Sequence, residues 1–204
     1  MVKKLKYGIL DQNYNNSLDN FDEYLHLAEE QNLQLAKEAV TNIKGEFNGL
    51  DKNKSTLIIS PTTSYDLGSG LSSNSFASYA AKYLKSKGHA NVTSYDISLN
   101  VTSDQINKIL LMIKDYDQVV IAASNVKTNN YANTSYLVNQ LALRCPQLVV
   151  IALDTPYDYL SYKNIKNYIC VYGYQKATVQ ALSSYLNGEF ESTGVSPIDP
   201  DLFS

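Results

Sequence analysis

Three aspartates, Asp66, Asp154 and Asp158, stand in polar segments that follow apolar runs, where a carboxylate could serve as acid, base or cation ligand. A lone aspartate beside a turn more often hydrogen-bonds the backbone as an Asx-type cap. Asp154, followed by Thr155-Pro156, fits that structural role, since the residue before a proline is held extended. Gly68-Ser69-Gly70 is placed as a phosphate-binding turn would be. The dinucleotide fingerprint needs a third glycine three residues on, and Ser73 stands there; the lysine of a P-loop is missing too. No serine sits in a nucleophile-elbow pattern, and His89, after Gly88, reads as a cation at a helix end. Cys145 and Cys170 form no Cys-x-x-Cys pair, so a zinc site is not expected, while a disulfide between them stays open. No cofactor is expected. Between Asp117 and Asp154 there is no Asp or Glu at all, so the long polar segment "SNVKTNNYANTS" supplies no carboxylate of its own.

Side chains of this kind act only where the chain's elements place them. The 204 residues suffice for one sizeable domain with a buried core. A net charge of −3 and a pI near 5.4 give no reason to expect nucleic acid or an anionic membrane surface as partner. No apolar run approaches the roughly 18 residues of a membrane span. The basic opening "MVKKLKYGIL" has too short an apolar part for a signal peptide.

Residues 21 to 44 carry the strongest helical period, through Phe21, Leu25, Ala28, Leu35, Ala39 and Ile43, with Asn20 and Glu23 as a capping box and Gly45 as the stop. A regular alternation follows. "STLIISP" is a strand, Ser73 to Lys87 a helix stopped by Gly88, and "ANVTSYDIS" a strand. Thr102 and Gln105 then open a helix by a capping box. "QVVIAAS", "LVVIALD" and "NYICVYGY" read as strands, Tyr136 to Arg144 as a short helix, and Ala177 to Leu186 as the last helix, stopped by Gly188. Only a dozen or so residues separate the final two strands, too few for a convincing helix. Apolar runs without alternation mean strands covered on both faces. The expected fold is therefore α/β, a doubly wound, mostly parallel sheet between helices, with an N-terminal helix. Residues 1–19 read as a linker, 20–48 as a linking helix and 55–204 as the sandwich. Ligands of such sheets approach the carboxyl ends of the strands, which points to the segments holding Asp66, Asn125 and Asp154.

Three stretches, "LALRCPQLVVIALDTPYDYL", "YICVYGYQKATVQAL" and "LNGEFESTGVSPID", resemble the second, α/β-sandwich domain of family 3 glycoside hydrolases. Ser192 departs from that family's pattern, which usually has proline there. "LAEEQNLQLAKEAVTNIKG" is similar to the family's linking helix, and "VKKLKYGIL" to the last helical turn leaving its catalytic barrel.

The resemblance implies a sheet with one antiparallel strand, and a turn at Pro156-Tyr157-Asp158 that fixes shape. It also implies that the nucleophilic Asp lies in a preceding (β/α)8 barrel not present here. In the β-glucosidase branch the acid/base Glu comes from a sandwich-domain loop. In the β-N-acetylglucosaminidase branch an Asp-His pair on a barrel loop takes that part, and the carboxylate-free stretch suits this second branch. No catalytic residue of the family maps onto this sequence. The resemblance thus makes the chain a fragment or split-gene product, inactive alone, whose partner is the barrel and which meets an amino-sugar glycoside only through its parent. Asp66, Asn125 and Asp154 would face the sugar cleft. Two other readings stand beside it. One is a free-standing flavodoxin-like small-molecule or nucleotide-binding module using the Gly68–Ser73 segment. The other is an interaction domain without a ligand, marked by an exposed apolar patch.

Overall fold

The structure, a computed structural model, describes residues 21–62 and 75–198. The expected cap at Asn20, the Gly68-Ser69-Gly70 turn with Ser73, and Asp66 lie outside the described residues. The chain divides into two units, one ending at Asn32 and one beginning at Leu33. The first unit holds the start of helix α1 (Phe21–Ala39), with Asp22 and Glu23 in the first turn, where carboxylates oppose the helix dipole. Its side chains from 22 to 32 are exposed. In the second unit the same helix packs Leu33 and Ala36 onto an apolar cluster.

Helix α1 stops at Ala39, short of the Lys44 that its period suggests. Thr41 Oγ1 donates to the Ala39 carbonyl at 3.0 Å, and Thr41–Lys44 becomes strand β1. Val40, Thr41 and Ile43 are β-branched and favour extended backbone, but the pairing partner decides. Thr41 lies opposite Cys170 and Asn42 opposite Ile169 of strand β6 (Asn167–Cys170), antiparallel.

Among the described residues the remaining strands are β2 (Thr56–Pro61), β3 (Val92–Ile97), β4 (Gln118–Ala123) and β5 (Leu148–Ala152). They make one six-stranded sheet ordered β1-β6-β5-β4-β2-β3, parallel throughout except for β1 against β6. The resemblance's single antiparallel strand is thus β1, at an edge. From β2 the chain passes to β3 on one side and then returns to β4 on the other, so strand order reverses between β2 and β4. Strands β5 and β6 are parallel neighbours although residues 153–166 between them hold only a 3-10 helix, Pro156–Ser161. A parallel crossover needs about a dozen residues, and this segment just meets that length.

Alternate strand residues serve opposite faces. Ile58, Val120, Ala122, Val149 and Ile151 pack with helices α2 (Phe76–Ser86) and α5 (Lys176–Leu186). Leu57, Ile59, Val119, Ile121 and Val150 pack with α3 (Ser103–Met112) and α4 (Ala132–Arg144). Both faces are covered, so the sheet is doubly wound. An open edge is a template for unwanted pairing, and the tail shields part of β1. Gly194 N donates to the Val40 carbonyl at 3.2 Å. Ser192 Oγ donates to the same carbonyl at 2.7 Å and accepts from Asn42 N at 3.1 Å. Ser192, where the family resemblance breaks, therefore does work on that edge that a proline could not.

The helix signals act as their chemistry requires. Thr102 and Gln105 form a reciprocal capping box on α3. Gly88 and Gly188 end α2 and α5 with φ of 93° and 75°. Each closes a Schellman motif: Gly88 N to Lys85 O with His89 N to Leu84 O, and Gly188 N to Tyr185 O with Glu189 N to Ser184 O. The largest fully buried side chains are Tyr168 and Tyr185, whose hydroxyls donate to the Pro156 and Phe47 carbonyls, each at 3.1 Å. Burying tyrosine is tolerable because the hydroxyl keeps a partner.

His89 is not the helix-end cation its position suggests. It is 2% exposed, and its Nε2 lies 3.0 Å from Asn187 Oδ1. Because that oxygen can only accept, Nε2 carries the proton, and Nδ1 is buried without a partner. Burial above all holds the imidazole below its ordinary 6.5, assisted by Lys52; the Asn187 bond and Asp51 act the other way. The folded chain then binds a proton less readily than the unfolded one. The expected stability is full above 6.5 and falls as pH drops below it, through the folded value. Melting curves across that window should show wild type losing ground to His89→Gln as pH falls; parallel curves would refute it.

Candidate functional site

In a sheet whose strand order reverses, ligands approach the carboxyl ends of the strands at the reversal, here β2 and β4. Ser124 and Asn125 leave β4, and Asp154 leaves β5 two residues after its end. Ladder bonds continue past the strands, with Leu153 N to Ala123 O at 2.9 Å and Val171 N to Ala152 O at 3.1 Å. The strand ends are therefore held in register.

Of the three residues expected to face a cleft, two are brought together. Asp154 Oδ2 accepts from the Asn125 amide at 2.9 Å and from the Ser124 hydroxyl. Asp154 is thus no Asx-type cap. That task falls to Thr155, whose hydroxyl accepts from Tyr157 N at 3.4 Å as the 3-10 helix begins. Asn125 has φ of 52°, a left-handed conformation that asparagine tolerates better than most residues. The pair forms a polar rim of one carboxylate and one amide, half-buried, with Ser124 beneath.

Asp158 is fully buried and braces this rim from below. Its Oδ1 accepts from Lys127 N at 2.9 Å, with a further backbone bond from Val126. The segment after β4 is thereby tied to the segment after β5. Desolvation pushes the Asp158 carboxyl up; the two backbone bonds pull it down, and Asp154 adds to the rise. Pro156 is buried, whereas Tyr157 is exposed. The two segments are joined again where Ser135 Oγ and Asn139 Nδ2 of α4 donate to the Ser161 carbonyl, at 2.6 and 3.2 Å.

Sequence reasoning missed Tyr172, which lies beyond β6 with φ of 54° and hydrogen-bonds Thr41 of β1. A left-handed aromatic residue costs roughly 1–2 kcal/mol, and nothing in "VYGY" announces it. It also missed Ser124, signalled only by its place after an apolar run.

The rim can orient a polar ligand, and among the described residues its one carboxylate, Asp154, is already bonded to Asn125 and Ser124. Among the described residues no cluster of His, Cys, Asp and Glu could hold a metal ion. Both cysteines are free, and burial pushes the Cys170 thiol up to about 12, so it is no nucleophile. A phosphate at the start of α2 would need open amides. There Ser78 N is taken by Ser75 Oγ at 3.1 Å and Ala77 N by Ser60 Oγ at 2.9 Å. Among the described residues no helix is long and apolar enough to cross a membrane.

This chain is an α/β sandwich with the fold of one part of glycoside hydrolase family 3 enzymes. A β-N-acetylglucosaminidase of that family from Paenibacillus sp. str. FPU-7 matches with a TM-score of 0.68 and 22% identity, over 80% of this chain and 31% of the other. A fungal multi-domain β-N-acetylglucosaminidase of the family matches with a TM-score of 0.63 and 19% identity, over 89% and 20%. A family 3 β-glucosidase from Neurospora crassa matches with a TM-score of 0.56 and 14% identity, over 81% and 24%. The chain spans less than a third of each of these proteins. No family profile and no curated protein matches the sequence.

Proposed function

We propose that this chain is the non-catalytic sandwich domain of a family 3 glycoside hydrolase of the β-N-acetylglucosaminidase kind, working against a (β/α)8 barrel. One observation carries the reading: the structural matches cover about four-fifths or more of this chain but leave over two-thirds of each neighbour unmatched. The chemistry agrees. A retaining glycosidase needs a nucleophilic carboxylate and an acid/base group about 5 Å apart across the sugar. The segment after β4 has no carboxylate of its own, and Asp154 and Asp158, which reach it, are engaged in holding it. The acid/base group therefore comes from elsewhere, which favours the N-acetylglucosaminidase branch over the β-glucosidase branch. The domain's part is to wall one side of the sugar cleft with Asp66, Asn125 and Asp154, excluding water and orienting the sugar.

The test is hydrolysis of a chromogenic N-acetylglucosaminide by the chain alone and mixed with a family 3 barrel from its own source. Silence alone and enhanced turnover in the mixture are expected. Asp154→Ala, which releases Asn125 and Ser124, should weaken the enhancement. Turnover by the chain alone would overturn the reading. A nucleotide-binding module is not favoured, because the α2 amides it would use are already bonded to Ser75 and Ser60.

A further inference from the structure

Two Asn-Gly sequences, Asn48-Gly49 and Asn187-Gly188, lie far apart in the chain and pack against each other. A Cβ added to Gly49 would sit 2.8 Å from Gly188 Cα, and one added to Gly188 would sit 2.9 Å from the Asn48 carbonyl. Asn-Gly is chemically labile because glycine lacks the Cβ that otherwise screens its nitrogen from the preceding side chain. The fold treats the two copies differently. The Asn187 amide is locked, its Oδ1 against His89 Nε2 at 3.0 Å and its Nδ2 donating to Glu189 at 2.9 Å. Gly188 N, the nitrogen that would attack, donates to the Tyr185 carbonyl at 2.9 Å. Asn48 instead is exposed, outside any helix or strand.

We infer that Asn48 is a site of spontaneous modification, converted by water to aspartate and isoaspartate. Gly49 N, giving its proton to a solvent base, bonds to Asn48 Cγ. The Cγ–Nδ2 bond breaks, and Nδ2 takes up a proton and leaves as ammonia. Water then opens the cyclic imide at either carbonyl, restoring an aspartyl link or routing the main chain through Cγ. No oxidant or reductant is needed.

The product lands where it matters. Asn48 shares a cleft of about 550 Å³ with Glu46, Glu189 and Glu191, so the new carboxylate joins three others. The isoaspartyl form also lengthens the main chain where the two glycine turns leave no room for a methylene. Leu50 N, which donates to the Leu186 carbonyl at 2.8 Å, is the first bond it would loosen. Modification therefore eases the β1–β2 connection away from the end of α5.

The test is peptide mapping by mass spectrometry after incubating the intact chain at mildly alkaline pH, following the one-dalton gain that replaces NH2 by OH. Conversion at Asn48 should outrun Asn187 by roughly tenfold or more, since several hydrogen bonds must open before Asn187 can react. In urea the two rates should converge, because the reacting dipeptides are identical. Amide exchange at Leu50 should quicken in the converted protein. Equal rates in the folded chain, faster conversion at Asn187, or an Asn48 that reacts only in urea would each overturn the inference.

Discussion

Alanine in place of Gly49 is expected to cost about 3 kcal/mol of unfolding free energy, from left-handed strain and overpacking together. Gly49 has φ of 99°, and its added Cβ would meet Gly188 Cα at 2.8 Å and Gly188 N at 2.9 Å. Both are main-chain atoms, so no side chain can swing aside. Gly88 is the natural control: its φ is 93°, but an added Cβ meets nothing within 4 Å. Gly88→Ala should therefore cost only the backbone part, about 1–2 kcal/mol. Urea unfolding of the two variants separates steric from conformational cost. Equal losses would mean that the two glycine turns are not in contact.

Alanine at Asp158 should be as damaging, again about 3 kcal/mol, because it strips the Lys127 and Val126 amides of their acceptor. Asp158→Asn keeps an acceptor oxygen and should lose far less. The two variants also differ in pH response. Burial raises the folded carboxyl above its ordinary 3.8, so the folded chain holds this proton more tightly than the unfolded one. Stability contributed by the aspartate is then greatest at low pH and is lost as pH rises from 3.8 through the folded value. Relative to Asp158→Asn, wild type should lose stability across that window. Equal losses for alanine and asparagine, with no pH dependence between wild type and Asp158→Asn, would mean that the carboxylate does not tie the two segments together.

These effects bear on the proposed function through rigidity. A wall for a sugar cleft works only if its groups hold position before the ligand arrives. Asp154 fixes Asn125, and Asp158 fixes the backbone two residues beyond it. The site is therefore braced through one oxygen of each carboxylate, Asp154 Oδ2 and Asp158 Oδ1.

Much of this was legible in the chain. Leu57–Ile59, Val119–Ala123 and Leu148–Ala152 are apolar without alternation, and such strands can exist only between two layers. Thr102 with Gln105, Gly88 and Gly188 set helix ends through chemistry confined to a few neighbouring residues. Local period and local capping are properties of sequence, so they settled the doubly wound class. Everything that depended on a distant partner had to wait for the tertiary structure. Ile43 continues the helical period from Ala39, yet β6, more than a hundred residues later, claims Thr41–Lys44 as a strand. Asp154 reads as a local cap until Ser124 and Asn125 are seen beside it, and His89 as a helix-end cation until its burial against Asn187 is seen. Gly49 and Gly188 look like two ordinary turns, and only their contact makes each irreplaceable. Burial and long-range hydrogen bonds leave no periodic mark in the sequence, because the residue that supplies the partner follows its own local pattern.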